Sequence, residues 1–227
     1  MKAVFKSALA VLVVIFMFGG CTNQQNPVAP VNTEASTDIN APALTLEDFP
    51  LEPLSDGEIE GLIFMREEEK LARDVYDTLY IVWGQRIFSN ISESEAKHTE
   101  AVKSILDRYT ITDPVVDDKA GAFSNASLSA LYNDLVQSGG QSLIDGLKVG
   151  AVIEEIDILD LRHQLDEVVD NQDIAFVYEN LMSGSRNHLR AFVRNLERKG
   201  VDYTPQYLSE AAFEAIMTSD TENGRSW

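Results

Sequence analysis

The chain has 227 residues, of which 44% are hydrophobic and 24% are charged, a composition typical of a globular protein with one sizeable core. Its formal net charge is −19, which argues against nucleic acid and anionic lipid headgroups as direct partners. The single cysteine, Cys21, excludes an internal disulfide and a metal site built from thiolates.

Residues 1–20 are predicted to be a bacterial lipoprotein signal peptide. Lys2 and Lys6 precede an eleven-residue apolar run, Ala8 to Phe18, which is too short to span a bilayer core of about 30 Å. Cys21 then follows two glycines, the pattern of a signal that is cleaved before a lipid-bearing cysteine. We therefore expect an extracytoplasmic protein that is anchored to a bacterial membrane by lipid on Cys21. The alternative is an ordinary cleaved signal with an incidental thiol.

Residues 21–54 are rich in Pro, Asn, Thr and Ala and show little periodicity, so they are predicted to be a flexible tether. Residues 55–227 are predicted to form a helical domain. Ser55 and Glu58 make a capping box that opens a first long helix, which ends near Gly84. Its buried stripe is predicted to contain Leu62, Met65, Glu69, Ala72, Tyr76, Leu79 and Trp83.

The second long helix is predicted from about Asn90 to Tyr109, with Glu95 and His98 in its apolar stripe. Burying a lone carboxylate without a partner is costly, so these polar residues need a compensating interaction. One alternative places Glu95 in a capping box that opens at Ser92. Another treats both of the seam histidines, His98 and His188, as core residues with satisfied hydrogen bonds.

A long connection follows, with Asp113-Pro114 and Gly121 breaking any helix, and it contains a short helix at about 127–137. The third and fourth long helices are predicted at about 142–169 and from 172 to about 200, and a last short helix at about 209–217. Short links within each helix pair and a long link between the pairs predict an all-α four-helix bundle of two antiparallel hairpins, with the connectivity of ferritin-like proteins.

Four-helix bundles that hold two metal ions use one Glu from each of two helices and a Glu-x-x-His motif from each of the other two. The candidate ligands here are, in chain order, Glu69, Glu95, His98, Glu155 or its neighbour Glu154, and His188. Glu155 is favoured over Glu154 because it lies between Ala151 and Ile158. The fourth helix has Ser185 at the place of the expected glutamate, which predicts a firm metal position near His98 and a weaker one near His188.

Three further expectations concern the surroundings of this site. Glu67 and Glu68 are expected on a solvated face of the first helix. Tyr76 is interpreted as a hydrogen-bond donor or radical trap beside the site, or else as a core tyrosine with a bonded hydroxyl. The small residues 183–185 either open a path for water, O₂ or peroxide, or allow close helix packing.

The segment "EKLARDVY", which begins at Glu69, has the Glu-x-x-Ala-x-x-x-Tyr form found in the first helix of rubrerythrin-like proteins, and "EAKH" is similar to their second-helix motif. The blocks "REEEKLARDVY", "VGAVIEEIDILDL" and "VYENLMSGSRNHLRAF" resemble more closely the prokaryotic ferritin-like family known as domain of unknown function 2202. The resemblance covers about residues 58–217. No reaction is assigned to that family, so the resemblance predicts none for this chain.

The resemblance implies iron as the first choice of metal, in a di-iron or asymmetric two-metal site, whereas carboxylates and imidazoles alone also suit manganese or zinc. A di-iron carboxylate centre implies ferrous oxidation or peroxide reduction, with an external electron donor because no further cysteine is present. A homodimer is allowed by the sequence. The competing interpretation is a non-enzymatic envelope protein whose bundle binds another protein or buffers metal.

Overall fold

The structure is a computed structural model that describes residues 44–222. Within that range the chain forms six α-helices: α1 (Asp56–Trp83), α2 (Arg86–Arg108), α3 (Ala126–Gly139), α4 (Leu143–His163), α5 (Gln172–Glu197) and α6 (Glu210–Thr218). A 3₁₀ helix (Leu46–Asp48) precedes α1, and a π-helical segment (Gln164–Val168) continues α4. The predicted signal peptide, Cys21 and the tether up to residue 43 lie outside the described residues.

The first hairpin is formed by α1 and α2, and its ends follow from local capping. The Ser55 hydroxyl accepts a hydrogen bond from the Glu58 amide (3.2 Å), and the Glu58 carboxylate accepts one from the Ser55 amide (2.8 Å). Gly84 ends α1 with a φ of 61°, a left-handed conformation that favours glycine. Because α2 begins two residues later, the helices run antiparallel.

The second helix starts earlier than the sequence pattern indicates. It begins at Arg86, which places Glu95 in the third turn rather than in the first. The alternative that Ser92 and Glu95 form a capping box is therefore wrong, because such a box needs its serine at the N-cap and here the N-cap is Gln85. The Ser92 hydroxyl instead donates a hydrogen bond to the carboxylate of Asp77 on α1.

The second hairpin is formed by α4 and α5, and it packs on the first so that α2 contacts α5 and α1 contacts α4. The short helix α3 lies in the long crossover and contacts both α1 and α4, while α6 packs on α5. The predicted all-α bundle of two antiparallel hairpins with a helix-containing crossover is confirmed. No helix in residues 44–222 is both long and apolar enough to cross a membrane.

The crossover covers one face of α1 that the sequence analysis assigned to solvent. Glu67 and Glu68 are only 2% and 7% exposed. The Glu67 carboxylate accepts hydrogen bonds from the backbone amides of Ser124 and Asn125, the latter at 3.0 Å. Lys70 donates to the carbonyl of Lys119 in the same crossover (2.9 Å). The prediction of a solvated face is wrong, because the crossover packs on Glu67 while Glu68 lines the cavity beside Glu69 and interacts with Asp160 of α4.

The described end of the predicted tether also contacts the bundle. The Phe49 ring packs on Phe176 of α5 with ring centroids 5.0 Å apart, and the Phe49 carbonyl accepts a hydrogen bond from Arg108 (2.8 Å). Asn171 donates to the carbonyl of Glu52 (3.2 Å). These contacts attach residues 49–52 to the ends of α2 and α5.

The bundle core consists of two apolar clusters with a polar layer between them. One cluster, towards the Glu58 end of α1, includes Leu62, Met65, Val102, Ile105, Leu161, Val177 and Leu181. The other, towards the Gly84 end, includes Val75, Leu79, Phe88, Leu147, Leu189 and Phe192. Every long helix therefore passes from one apolar cluster to the other through the polar layer, and the candidate ligands lie in that layer.

Candidate metal centre

Each long helix contributes at least one buried ionisable side chain to the polar layer. Glu69 comes from α1, Glu95 and His98 from α2, Glu154 from α4 and His188 from α5, and none is more than 9% exposed. The three-residue spacing of Glu95 and His98 puts both on one helix face. Such a concentration of buried charge needs mutual compensation or a bound cation, since isolated buried charges are very costly.

The five side chains form two groups that share Glu95. In the first, His98 Nδ1 lies 2.7 Å from Glu95 Oε2 and 3.3 Å from Glu69 Oε2. In the second, His188 Nδ1 lies 2.7 Å from Glu95 Oε1 and 3.4 Å from Glu154 Oε2. Within each group the possible ligand atoms lie within 4.8 Å of one another. The two oxygens of Glu95 thus face different histidines, as in a carboxylate that bridges two cations.

The residues fit a pair of metal ions by their unsatisfied atoms and by their chemistry. Glu69 Oε1 and His188 Nδ1 are buried and make no hydrogen bond of acceptable geometry with any residue in the range 44–222. Glu69 lines a small cavity of about 20 Å³, together with Glu68, Glu95 and Glu154. Carboxylates and imidazoles without thiolates suit iron, manganese or zinc. A cation would satisfy Glu69 Oε1 and take the place of the proton between His188 Nδ1 and Glu95 Oε1.

Neighbouring side chains fix the orientation of the candidate ligands. The Tyr76 hydroxyl donates a hydrogen bond to Glu154 Oε1 (2.5 Å), which leaves Glu154 Oε2 to face His188. His188 Nε2 lies 3.0 Å from the Ser94 hydroxyl, so that Nδ1 is directed at the carboxylates. Partners of this kind set ring orientation and tautomer in metal sites. Tyr76 is therefore bonded directly to a candidate ligand, as a donor beside the site would be.

Gly184 on α5 provides room for the His98 ring of α2. A Cβ atom at residue 184 would lie 2.6 Å from His98 Nε2 and 2.7 Å from Cε1, closer than such atoms can approach. The two histidine rings stack with centroids 5.5 Å apart and an angle of 25°. The small residues 183–185 thus permit close packing of α5 on a candidate ligand, which supports the packing alternative over an open path.

The electrostatics of the metal-free cluster favour protonated histidines. Burial opposes a charged ring, but the Glu95 and Glu154 carboxylates outweigh it and raise the pKa of His188 to about 10. For Glu69, burial outweighs the opposing charge of His98 and raises the pKa to about 7. For Glu95, the charges of His188 and His98 outweigh burial and lower the pKa. Without a cation, protons on the histidines balance the carboxylates, so metal binding must displace them.

Comparison with known proteins places the chain in a family. The sequence profile described as "Uncharacterized protein domain (DUF2202)" matches residues 58–220. The chain belongs to DUF2202. The chain is 55% identical over 179 residues to the "Uncharacterized protein MJ0754" of Methanocaldococcus jannaschii, a match that covers 79% of this chain and 96% of that one.

The structure gives the same relationship as the sequence. It is similar to the crystal structure of the hypothetical protein MJ0754 from Methanococcus jannaschii DSM 2661, with a TM-score of 0.75 and 57% sequence identity. That match covers 76% of this chain and 98% of the other. The resemblance to this family is therefore confirmed, whereas neither comparison names an activity or a metal for the DUF2202 domain.

The preference for Glu155 over Glu154 as the α4 ligand is corrected by the structure. Glu155 is fully buried but points out of the bundle centre, towards the segment between α5 and α6. Its carboxylate accepts hydrogen bonds from the Tyr203 hydroxyl (2.5 Å) and from the backbone amides of Gln206 (2.9 Å), Tyr207 (2.7 Å) and Leu208 (2.8 Å). In this DUF2202 domain Glu154 therefore takes the place among the candidate ligands, and Glu155 anchors a loop.

Two acidic residues of the polar layer, Glu68 and Asp157, were not among the sequence-based candidates. Asp157 of α4 is 7% exposed, and the Ser185 hydroxyl donates a hydrogen bond to its Oδ2 atom. Burial raises the pKa of Asp157 well above its usual range, and the negative charges of Glu69 and Glu154 raise it further. The available signal was its position three residues after Glu154, which puts both on one helix face.

Proposed function

We propose that this DUF2202 protein is a ferritin-like metal protein with a two-metal carboxylate site, and that it acts outside the cytoplasm as a lipid-anchored protein. The observation that carries the proposal is the sharing of Glu95 between two buried groups, one with His98 and Glu69 and the other with His188 and Glu154. Glutamates and histidines from four helices of a bundle match the donor set of known two-metal carboxylate proteins.

Iron is the metal that this likeness to ferritin-like proteins favours. Two bound ferrous ions would supply two electrons, enough to reduce one hydrogen peroxide, with two protons, to two waters. Glu95 would hold both ions, while His98 with Glu69 and His188 with Glu154 would each hold one. The apolar clusters on either side exclude water from the layer, which strengthens the electrostatic interactions between the ligands and the ions.

The proposed activity is therefore ferrous oxidation or peroxide reduction. The chain has one cysteine, Cys21, at the predicted lipidation site. It has no cysteine ligands for an internal electron-transfer centre, so repeated turnover would need an electron donor from outside the chain. Tyr76, bonded to Glu154, lies where a side chain could exchange a proton with a ligand.

The test is metal content followed by reaction with peroxide. The full chain, purified in detergent, is analysed for metals, stripped with a chelator, and reloaded with ferrous ion without oxygen. We expect two irons per chain and rapid oxidation on adding peroxide, followed by the absorbance of ferric carboxylate. Glu95→Gln serves as the variant without the shared ligand and should show neither. A folded wild-type protein that does not bind ferrous ion would favour the alternative interpretation, a non-enzymatic envelope binding protein.

The proposed location has its own test. Cys21→Ser should convert a membrane-bound protein into one that is soluble outside the cytoplasm or remains uncleaved, because the lipid supplies the attachment. Mass spectrometry of the wild-type N-terminus should find the lipid on Cys21. Wild-type protein that is found free of lipid in the soluble extracytoplasmic fraction would contradict the anchor.

A further inference from the structure

Asp157 lies one turn beyond Glu154 on α4, at a spacing that puts both side chains on the same helix face. Because α4 and α5 are antiparallel, two contacts form in register across the pair. Glu154 Oε2 lies 3.4 Å from His188 Nδ1, and one turn away the Ser185 hydroxyl donates a hydrogen bond to Asp157 Oδ2. Asp157 therefore faces the position at which a Glu-x-x-His motif on α5 would have carried its glutamate.

The second oxygen of Asp157 is positioned to act as a ligand atom. Asp157 Oδ1 is buried and has no hydrogen-bond partner within the described part of the chain. The side chain lines the same small cavity as Glu68, Glu69, Glu95 and Glu154, and Glu68 Oε2 likewise has no hydrogen-bond partner among the described residues. A buried carboxylate oxygen without a partner is destabilising. A cation in the cavity is the species that would satisfy it alongside the other three carboxylates.

The number of charges leads to the same conclusion. Two-metal bundle sites of the ferritin-like kind use four carboxylates and two imidazoles. Here Glu69, Glu95 and Glu154 supply three carboxylates, and Ser185 supplies none. Glu68 also lines the cavity, but its carboxyl interacts with Asp160 of α4. With Asp157 the candidate ligands again include four carboxylates, whose four negative charges match the four positive charges of two divalent cations.

We propose that Asp157 is the fourth carboxylate ligand of the two-metal centre, so that α4 supplies both carboxylates of the second hairpin. Ser185 is then a positioning residue that holds Asp157 through its hydroxyl. This inference rests on the proposed two-metal function. The two hairpins are unlike each other, since the equivalent position on α1, three residues after Glu69, is Ala72. The metal position near His188 is not short of a carboxylate, in contrast to the expectation from Ser185 alone.

The test is an anaerobic titration of the metal-stripped full chain with ferrous ion, measured by equilibrium dialysis. Asp157→Asn removes the charge but keeps an oxygen that accepts the Ser185 hydrogen bond. Wild type should bind two ions, and Asp157→Asn should hold one of them at least about tenfold more weakly, since losing even an outer partner of a ligand costs about 10–100-fold. The matched control, Asp145→Asn, makes the same change at the start of α4, where the carboxylate accepts a hydrogen bond from the Ser142 hydroxyl (2.6 Å), and it should bind as wild type does.

Two further variants separate a ligand from a structural residue. Ser185→Ala keeps the carboxylate and loses only its hydrogen bond, so it should weaken the same ion less than Asp157→Asn does. The double variant Asp157→Ser with Ser185→Glu moves the carboxylate across to α5 and should recover affinity that Asp157→Ser loses. Equal second-ion affinity in Asp157→Ser and the double variant would count against the assignment.

The metal-free melting temperature provides a readout that does not depend on loading. Asp157→Asn should not lower it, because a buried acid is replaced by a neutral isostere that keeps its hydrogen bond, whereas a purely structural Asp157 would show a lower value and unchanged affinity. A wild type that binds two ions, with an Asp157→Asn variant of equal affinity, would overturn this assignment and leave the two-metal function intact. A wild type that binds no ferrous ion would instead overturn the function itself.

Discussion

Glu154 and Glu155 are neighbours in the chain, and their carboxylates serve different parts of the molecule. Glu154 lies in the polar layer beside His188, with 3.4 Å between Oε2 and Nδ1. Glu155 accepts hydrogen bonds from three consecutive backbone amides of residues 206–208. The turn of about 100° per residue in an α-helix is sufficient for this divergence.

The pair provides a matched test of metal binding against stability. Glu154→Gln should weaken one bound ion at least tenfold. It should lower metal-free stability less than Glu155→Gln does, since burial raises the pKa of the Glu154 carboxyl and already disfavours its charge. Glu155→Gln should lower the free energy of unfolding by about 3 kcal/mol, because it replaces charge-assisted hydrogen bonds to several amides. It should keep the wild-type number of ions. Equilibrium dialysis and urea unfolding measure the two effects. If Glu155→Gln instead weakened metal binding and Glu154→Gln did not, Glu155 would be the ligand.

The topology could be predicted from sequence because each long helix carries its own apolar stripe and capping residues. The choice between Glu154 and Glu155 could not, since α4 is buried on several sides and has no single stripe from which to read an inward direction. The segment around Tyr207, which is distant in sequence, covers the outer side of α4 and binds the Glu155 carboxylate. Glu67 was misplaced for the same reason, because the crossover near Ser124 covers it.

The shared position of Glu95 predicts a hierarchy among ligand variants. Glu95→Gln removes the one carboxylate that belongs to both groups, so it should abolish binding of both ions. His98→Ala should mainly remove the ion that Glu69 also holds, and should lower the melting temperature of the loaded protein because metal binding contributes to folding. Elemental analysis of each purified variant gives the comparison. Unchanged metal content in His98→Ala would show that the histidine is a core residue.

Gly184→Ala tests the packing of α5 on the His98 ring. Replacing a mid-helix glycine by alanine ordinarily stabilises a helix by about 1 kcal/mol. Here the added Cβ would lie 2.6 Å from His98 Nε2, so the ring or α5 must shift, which disturbs the contacts of His98 Nδ1 with Glu69 and Glu95. We expect a net destabilisation of about 1–3 kcal/mol and weaker binding of the ion near His98.

Ser183→Ala, at the preceding residue of α5, is the control for Gly184→Ala and should change neither property. Urea unfolding of the metal-free proteins measures stability, and dialysis with ferrous ion measures affinity. A more stable Gly184→Ala protein with normal metal content would show that the position of the His98 ring does not require a glycine at residue 184.

The pH dependence of the metal-free domain follows from the pKa shifts of Glu69 and His188. The folded pKa of His188, about 10, lies above its ordinary value of 6.5. Its contribution to stability is therefore complete below pH 6.5 and is lost as the pH rises towards 10. For Glu69, with a pKa of about 7 against 4.5, the contribution is complete below pH 4.5 and is lost as the pH rises through 7.

The His188 shift therefore predicts that the metal-free melting temperature falls between pH 7 and pH 9, whereas the Glu69 shift predicts a fall mainly between pH 4.5 and pH 7. Metal binding shows the opposite trend, since ions compete with protons on the histidines and bind more tightly as the pH rises. The gain in melting temperature on adding zinc, which is not oxidised in air, should accordingly widen over this range. His188→Gln removes one titrating group and should flatten the metal-free curve. A wild-type curve that stays level or rises from pH 7 to pH 9 would show that the histidines are not held protonated by the carboxylates around them.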